Sequence, residues 1–498
     1  MQKPSSILLL FMSMLLLACG DNGNQIQSRW LRDFQALGTS SSPRCIDLTG
    51  DGVLDVVIGA GQLEFEASDS AVLALDGQNG QILWAAPALD QMVGSARFLD
   101  INGDQTPDVI IGGRSAQLMA LDGKNGESLW RYQKPGGGNT PSSLMRYNFY
   151  NFQLIPDQNQ DGLPDILLSN GGNVMAPPND DRLRRAGVLA IMDSHDGSIL
   201  QADTMPDGRE TYLSPVVMEH DNEVSILFGS GGETASGGLY RVNLNEFMQK
   251  GLQNAELLLQ REGQGFVAPP LVMDLNQDGK EDVVASWHGG EMIAIDGQTD
   301  SVLWQFQIKN SELNNSPAPG YFNADSIPDV FTYFSLGKWP ENNGAVQVVL
   351  DGRDGSLIAR KNIGCSGFSS PVVLDGNGDG RDEVIWSVNE YNCTGIYLAN
   401  GKHRLLHWDV AVDSISEILP SQKLKNVGST PWMGDLDGNG KLDIVYCLQA
   451  NAVKVYEYFG IRLGRLETPF PAGQPRLWGG YLGQDGTGVW QKTPEVVQ

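Results

Sequence analysis

The stretch Asp47-Leu48-Thr49-Gly50-Asp51-Gly52-Val53-Leu54-Asp55 decides the fold of this chain, because its pattern recurs along the sequence. If Asp47 is position 1, then positions 1, 3, 5 and 9 carry side-chain oxygens, and position 7 offers a backbone carbonyl. Oxygen ligands spaced in this way are typical of a cage for Ca²⁺, which takes six to eight of them. Glycine at position 6 allows the sharp turn that such a cage needs.

Seven copies of the pattern are present, and the sequence predicts a calcium site in each. Position 12, where an EF-hand has a Glu, is not acidic in any copy, and runs of β-branched residues such as Val56–Ile58 follow the loops. Each loop is therefore predicted to join two strands, with a metal-free Asx turn as the alternative. The predicted ligands are Asp47, Thr49, Asp51 and Asp55; Asp100, Asn102, Asp104 and Asp108; Asp157, Asn159, Asp161 and Asp165; Asp274, Asn276, Asp278 and Asp282; Asn323, Asp325 and Asp329; Asp375, Asn377, Asp379 and Glu383; and Asp435, Asp437, Asn439 and Asp443.

The loops mark repeats of about fifty residues, a period typical of propeller blades. An eighth unit has a decayed loop that begins at Glu219 and is predicted to bind no metal. The second half of a unit, seen in Leu73–Trp84, recurs in Met119–Trp130 and Ile293–Trp304, and its Gly/Asn turn indicates a hairpin. The sequence thus predicts an all-β fold: an eight-bladed β-propeller over residues 29–470, with four antiparallel strands (A to D) per blade and the acidic loops between strands A and B.

Two loops depart from the pattern at position 6, where Gln105 and Ser326 replace Gly, and Tyr321 replaces the first carboxylate. We therefore expect the loop of the sixth blade to bind calcium most weakly. The Trp at the end of strand D is expected to pack between blades. Because Trp30 has the same spacing before the first blade, the segment from Trp30 to Phe34 is expected to complete the last blade beside residues 453–458, with residues 465–470 as the alternative outer strand.

The first residues carry a targeting signal. Lys3 precedes an apolar run from Ile7 to Leu17, and Leu16-Leu17-Ala18-Cys19 follows. This run resembles a bacterial lipobox, which implies a lipoprotein signal peptide over residues 1–18, lipid attachment at Cys19, a tether over residues 19–28 and a membrane anchor in the cell envelope. Gly20 favours the outer membrane. An ordinary signal peptide is the alternative, and residues 471–498 are expected to be a C-terminal tail.

Charge and cysteine content narrow the function further. The formal net charge is −26, and the sequence has no basic stripe, which excludes nucleic acid as a partner. An exported chain lies in a compartment that permits disulfides, and Cys365 and Cys393 fall in loops expected on one face of the ring. They are the candidate disulfide, whereas Cys45 and Cys447 either pair with each other or remain free thiols.

The two halves of each unit resemble two repeat families. The A-loop-B halves are similar to FG-GAP (VCBS-type) repeats, whose calcium loops lie between strands A and B, and the Leu-Asp-Gly-x-x-Gly-x-x-Leu-Trp halves resemble PQQ-like repeats. The chain also resembles the eight-bladed propeller lipoprotein of the outer-membrane β-barrel assembly machine. Quinoprotein dehydrogenases carry an adjacent Cys pair that this sequence lacks, so PQQ is not expected as a cofactor.

A ligand is expected on the face formed by the B–C and D–A loops, opposite the acidic loops. The mixed charged and aromatic residues of these loops suit a polar ligand or a protein surface. The favoured function is non-catalytic binding of an envelope protein or glycan. The alternative is a polysaccharide-active enzyme similar to eight-bladed rhamnogalacturonan lyases, for which the sequence offers no clear base. The candidate ligand residues are Arg182, Arg184, His288, Lys338, Trp339 and Tyr391.

Overall fold

The computed structural model describes residues 25–490, except 135, 137, 178–179, 181–182, 221–222, 340–341, 366, 391–392, 394–400, 451–458 and 475. The described chain forms eight antiparallel sheets, each with strands A to D in order, which confirms the predicted eight-bladed propeller. The decayed fourth unit forms an ordinary blade within the ring. In the described part of the chain, no helix has the length and apolar character needed to cross a membrane.

Strand β1 (Gln27–Gln35) belongs to the last blade, and blades 1 to 4 follow along the chain. Their strands are β2 (Arg44–Ile46), β3 (Asp55–Gly59), β4 (Ser68–Leu75) and β5 (Ile82–Ala88) in blade 1; β6 (Arg97–Leu99), β7 (Asp108–Gly112), β8 (Leu118–Leu121) and β9 (Ser128–Arg131) in blade 2; β10 (Asn148–Phe149), β11 (Gln153–Ile155), β12 (Asp165–Gly171), β13 (Val188–Met192) and β14 (Ile199–Thr204) in blade 3; and β15 (Val216–His220), β16 (Glu223–Gly229), β17 (Gly237–Asn243) and β18 (Glu256–Arg261) in blade 4.

Blades 5 to 8 repeat the arrangement. Their strands are β19 (Leu271–Met273), β20 (Asp282–Trp287), β21 (Glu291–Ile295) and β22 (Val302–Gln307) in blade 5; β23 (Ser311–Glu312), β24 (Ala318–Gly320), β25 (Asp329–Leu336), β26 (Gly344–Leu350) and β27 (Leu357–Lys361) in blade 6; β28 (Val372–Leu374), β29 (Glu383–Glu390), β30 (Lys402–Asp409) and β31 (Ser414–Gln422) in blade 7; and β32 (Leu424–Lys425), β33 (Trp432–Gly434), β34 (Lys441–Ala450) and β35 (Gly460–Pro471), with β1, in blade 8.

Two short helices interrupt the β-structure. Helix α1 (Pro141–Leu144) lies in the connection between blades 2 and 3, and α2 (Leu244–Lys250) lies between the outer two strands of blade 4. The side chain of Asn243 accepts the first free N–H groups of α2, and Gly251, with a φ of 65°, ends it.

Blade 8 closes the ring with strands from both ends of the chain. Strand β1 pairs antiparallel with β35, with Trp30 opposite Arg465, so the prediction of an N-terminal closing strand is confirmed. The predicted neighbour was wrong: β1 pairs with Gly460–Pro471, which is the third strand of the blade and not its outer strand. Burial explains this, because β35 lies between two strands and is mostly buried, whereas β1 is exposed along one side. Residues 453–458 lie outside the described part.

The Trp at the end of strand D joins neighbouring blades, as predicted. The indole Nε1–H of Trp30 donates to the carbonyl oxygen of Gly77 in the C–D turn of blade 1, at 2.8 Å. Trp84 bonds Gly123 in the same way, also at 2.8 Å. Equivalent bonds of 2.8 Å run from Trp130 to Ser194 and from Trp304 to Gly352. These bonds satisfy the buried indole and set one blade against the next.

The C-terminal segment from Leu477 to Trp490, expected to be a tail, crosses the inner strands of the ring. Its Trp478 bonds Val373 of blade 7, and Trp490 donates its N–H to Val272 of blade 5 at 2.7 Å. Its carbonyl groups accept hydrogen bonds from Arg44 of blade 1 and Arg97 of blade 2. The segment therefore fills the centre of the propeller and links blades on opposite sides of it.

Candidate metal loops and the opposite face

The acidic loops share one hydrogen-bond scheme. The carboxylate of Asp47 accepts the N–H groups of Gly50 at 2.6 Å and Gly52 at 2.9 Å. The bond from position 6 to position 1 recurs in blades 2, 3, 5, 7 and 8. A further bond joins positions 5 and 7, because the carboxylate of Asp51 accepts the N–H of Val53 at 2.8 Å. The loop is thus a series of Asx turns, in which side-chain oxygens bind the backbone N–H groups of the loop.

Backbone geometry separates the loop of blade 6 from the others. Positions 4 and 6 have a positive φ in the other six loops, and even the non-glycine residues Gln105, Gln160 and Gln277 adopt it, at 71°, 66° and 62°. In blade 6, neither Ala324 nor Ser326 does. Since position 1 there is Tyr321, no carboxylate draws these N–H groups inward. Sequence and geometry agree that this loop departs most from a cation cage.

The carboxylates at position 9 are buried beneath the loop. In blade 1, Asp55 accepts the N–H of Leu48 at 2.9 Å and that of Gly77 at 3.0 Å. It therefore connects the A–B loop to the C–D turn whose carbonyl accepts the Trp of the previous blade. Burial raises the pKa of this carboxyl, and in blades 6 and 7 it raises the pKa of Asp329 to about 7 and that of Glu383 to about 8.

The loops differ in their basic neighbours. Asp104 of blade 2 lies 2.8 Å from Lys124, and Asp325 of blade 6 lies 2.9 Å from Arg353. In blade 7, Arg476 approaches Asp375 only to 4.0 Å. Asp437 and Asp443 of blade 8 both contact Arg465. Among the described residues, no basic side chain forms an ion pair with the ligand carboxylates of blades 1, 3 and 5.

The loops of blades 3, 5 and 8 also leave buried acceptor atoms unused. One carboxylate oxygen of Asp165, one of Asp274 and one of Asp437 have no hydrogen-bond partner. A buried, unpaired carboxylate oxygen is unfavourable unless a cation or water satisfies it. In blade 8 the other oxygen of Asp437 binds Arg465, whereas in blades 3 and 5 the oxygens form, without a basic partner, the donor set that Ca²⁺ prefers, so those residues fit a calcium ion.

On the opposite face, Arg184 already has partners. Its guanidinium donates to the carboxylate of Glu210 at 2.7 Å and to the Tyr212 hydroxyl at 2.9 Å, and it also bonds the carbonyl of Ala176. Glu210 is buried, and burial raises its pKa, although Arg184 opposes this. The pair fixes the B–C loop of blade 3 against the connection to blade 4.

His288 is buried in a polar cluster between blades 5 and 6. Its Nδ1 lies 3.2 Å from the carbonyl oxygen of Leu313, and its Nε2 lies 3.7 Å from the carboxylate of Glu312. Glu312 also accepts the N–H of Trp339 at 2.9 Å. Although burial by itself would raise the pKa of Glu312, its contacts with His288 and Trp339 lower it. The cluster joins three connecting segments.

The structure does not bring the candidate ligand residues together. Lys338 is exposed, and Trp339 packs beside Phe368 and Val427 of neighbouring connections. Arg182 and Tyr391 lie outside the described residues, as does Cys19.

The cysteines fall into two groups. Cys365 and Cys393 form a disulfide with a Cα–Cα distance of 5.2 Å, which ties two connections of this face together. Cys45 and Cys447 are free thiols, and burial raises the pKa of both.

A cavity of about 440 Å³ lies on the same face, between α1 and the B–C loop of blade 3. It is lined by Gly138, Asn139, Ser143, Leu144, Arg146, Tyr147 and Arg185. Arg146 and Arg185 are exposed, and the described residues that line the cavity include no acidic one. The sequence does not single out Arg146 and Tyr147 as candidate ligand residues, because they lie in a D–A connection that carries no motif.

Comparisons with known proteins agree on the fold. A family model described as FAM234A/B beta-propeller matches residues 60–174. No curated protein matches the chain. Among solved structures, the chain is similar to a europium-containing methanol dehydrogenase, with a TM-score of 0.57, 11% identity, and coverage of 90% of this chain and 94% of that one.

The quinohemoprotein alcohol dehydrogenase ADHIIG from Pseudomonas putida HK5 has a TM-score of 0.53 and 12% identity, with coverage of 90% of this chain and 77% of that one. BamB from Moraxella catarrhalis covers 89% of this chain and 97% of its own, at 11% identity and a TM-score of 0.48. At identities this low, the likeness to the two dehydrogenases, with TM-scores above 0.5, shows the fold alone.

Proposed function

We propose that this chain is a calcium-stabilised, lipid-anchored propeller of the bacterial outer membrane that binds an acidic envelope glycan or protein without catalysis. The observation that carries the binding role is the cavity lined by Arg146 and Arg185. In a chain of net charge −26, a cavity whose described lining includes two exposed arginines favours a negatively charged ligand. Guanidinium groups bind carboxylates in a bidentate manner, and the Tyr147 ring adds an apolar surface for a sugar or side chain.

Calcium has a structural role in this proposal. The loops of blades 1, 3 and 5 offer carboxylates without basic partners, and their position-9 carboxylates contact the C–D turns or lie beneath them. In blade 5, Asp282 accepts the N–H of Gly297 at 2.9 Å. An ion held by Asp274, Asn276 and Asp278 would neutralise the loop and hold it against that turn. Calcium therefore would stabilise the blade without touching the ligand.

The surroundings of Arg184 and His288 support binding over catalysis. A polysaccharide lyase needs a base and a cation that reach the sugar from one cleft. Arg184 is held in blade 3 by Glu210, and His288 is buried in blade 5. Neither side chain is directed to the cavity beside Arg185.

Affinity electrophoresis tests the binding role, with polygalacturonate as the acidic polymer and dextran as the neutral one. We expect polygalacturonate to retard the mature protein and dextran to leave its mobility unchanged. Arg146→Ala and Arg185→Ala should each weaken the retardation several-fold. Arg353→Ala, on the opposite face, is the matched control and should behave like the parent. Retardation that does not depend on Arg146 and Arg185 would rule out the cavity as the site.

The anchor is tested in a bacterial host by mass spectrometry of the N-terminal peptide. A diacylglyceryl group on Cys19, lost in Cys19→Ser, is the expected result. A peptide that begins elsewhere, with an unmodified Cys19, would contradict the lipid anchor.

A further inference from the structure

The loop of blade 8 follows the sequence pattern but differs in its surroundings. Asp435, Asp437 and Asp443 each place one carboxylate oxygen within 4.8 Å of the others, and among the described residues no other group of three acidic, His or Cys side chains does so. Three carboxylates this close together repel one another strongly unless a cation lies among them. These carboxylates therefore need a positive charge close by, either a metal ion or a basic side chain.

Arg465 of strand β35 supplies positive charge at this point. Its Nε donates to Oδ1 of Asp443 at 2.8 Å, and its Nη2 donates to Oδ2 of Asp443 at 3.0 Å and to Oδ2 of Asp437 at 2.6 Å. The Arg465 side chain is only 2% exposed. The guanidinium thus binds one carboxylate in a bidentate manner and bridges to a second.

The third guanidinium nitrogen extends the contact to the next blade. Nη1 of Arg465 donates to the carbonyl oxygen of Gly77 at 3.1 Å, the same oxygen that accepts the indole of Trp30. One side chain therefore links the blade 8 loop to the C–D turn of blade 1. This is the joint where the two ends of the chain close the ring.

Position 5 of this loop also has an unusual partner. Asn439 donates its side-chain amide to Glu467 of strand β35 at 2.9 Å, and its own amide oxygen accepts the N–H of Lys441 at 2.9 Å. In blade 5, by contrast, position 5 is the carboxylate Asp278, which accepts the N–H of Lys280 at 2.8 Å.

The strand register shows that the arginine is special to blade 8. Arg465 pairs with Val445, which is position 11 counted from Asp435. The residue in the same register is Ala74 in blade 1, Ala120 in blade 2 and Ala294 in blade 5. A methyl group there cannot reach the carboxylates above it, whereas the long arginine side chain does.

We propose that Arg465 takes the place of the metal ion in blade 8, so that this loop binds no calcium and the closing joint of the ring does not depend on it. The inference rests on the proposed calcium role of the other loops. A divalent ion at the unpaired Oδ1 of Asp437 would lie beside a buried guanidinium that already binds Asp437 and Asp443, and the two positive charges would repel each other. Because arginine stays charged at any physiological pH, this positive charge is always present at the joint.

The test is the number of calcium ions bound by the mature protein, counted by native mass spectrometry after equilibration with 1 mM Ca²⁺. Asp435→Asn and Asp274→Asn make the same change at position 1 of the loops of blades 8 and 5. We expect Asp274→Asn to lose one calcium ion and Asp435→Asn to keep the parental number. Loss of one ion in Asp435→Asn would overturn the inference while leaving the calcium loops intact as a proposal. A parent protein that binds no calcium would overturn both.

A gain-of-site variant adds an independent outcome. Arg465→Ala places in blade 8 the residue that blades 1, 2 and 5 have, and we expect it to bind one calcium ion more than the parent. Thermal melting in Ca²⁺ checks that this variant is folded. If it is folded and its count is unchanged, Arg465 is not what excludes the ion. If it does not fold, the pair of Asp→Asn variants decides.

Discussion

Blades 4 and 5 are neighbours with the same four-stranded sheet, yet only blade 5 has an acidic loop. In blade 4, strands β15 and β16 pair up to their connection, with His220 opposite Glu223. In blade 5, the shorter strand β19 leads into the loop from Asp274 to Asp282. Because blade 4 forms its sheet and keeps its place in the ring without a loop, the loop is not needed to make a blade. Its acidic residues must serve another purpose, which we propose to be calcium binding.

The contacts that blades 4 and 5 make with the next blade along the ring also differ. Trp304 of blade 5 donates its indole N–H to Gly352 of blade 6 at 2.8 Å. At the joint between blades 4 and 5, the carbonyl oxygen of Gly297 is approached at 3.5 Å by Arg241, which also forms an ion pair with Asp300 at 2.7 Å. An exposed ion pair thus replaces a buried indole where the loop is missing. The Trp does not accompany the loop in every blade, because blade 3 has an acidic loop and has Gln201 in the register of Trp84. Loop and turn, joined by Asp282 in blade 5, are the unit that blade 4 lacks.

The largest expected effect tests whether the loop and the turn are one unit. Asp282→Ala removes the acceptor for the buried N–H groups of Leu275 and Gly297, whose bonds measure 2.8 and 2.9 Å. Leaving two buried donors unpaired should lower the free energy of unfolding by about 2 to 4 kcal/mol. Chemical denaturation measures the change. Glu219→Ala in blade 4 is the control and should be within about 0.5 kcal/mol of the parent. Equal losses in both variants would contradict the comparison.

A smaller effect is expected at the joints. Trp304→Phe removes the bond to Gly352 and should cost about 1 to 2 kcal/mol, with no dependence on salt. Arg241→Gln should cost about 0.2 to 1 kcal/mol at low salt, because its partners are partly exposed. That loss should shrink in 1 M NaCl, where screening is strong. Denaturation curves at two salt concentrations distinguish the joints, and the same salt response for both would show that they do not differ in kind.

The smallest effect compares two loops under calcium. Extracellular modules bind Ca²⁺ with a Kd of roughly 10⁻⁴ to 10⁻³ M. At about 1 mM Ca²⁺, Asp278→Ala should therefore remove about 0.4 to 1.4 kcal/mol of calcium-dependent stability. Asp325→Ala in blade 6 should remove almost none, because Tyr321 and Ser326 break the pattern and Arg353 pairs with Asp325. Melts of both variants with and without Ca²⁺ measure this, and equal losses would invalidate the ranking.

Local repetition explains what could be predicted from the sequence. Each blade repeats the same short-range signals, so the eight sheets, the place of the decayed unit and the inter-blade role of Trp84 and Trp304 all followed from spacing. The spacing of Trp30 also predicted correctly that an N-terminal strand closes the last blade. The turns of the acidic loops repeat because their geometry is set within nine residues, and the role of these residues as calcium ligands stays a prediction.

Features that depend on contacts across the ring could not be predicted. Arg465 lies 22 residues from Asp443, and only the strand register places its guanidinium there. The segment around Trp478 has no repeat of its own, and its position in the centre depends on inner strands from several blades. The surroundings of Arg184 and His288 could not be predicted either, because both side chains contact residues of neighbouring connections.

The central claim, that calcium in the A–B loops stabilises the ring, is tested most directly by thermal melting of the mature protein in 1 mM Ca²⁺ and after exhaustive treatment with EDTA. With three to five occupied loops, calcium should contribute about 1 to 7 kcal/mol. We expect chelation to lower the melting temperature by several degrees, and added Ca²⁺ to restore it. An unchanged melting temperature, with metal removal confirmed by elemental analysis, would show that these loops are stable as Asx turns alone and would contradict the account.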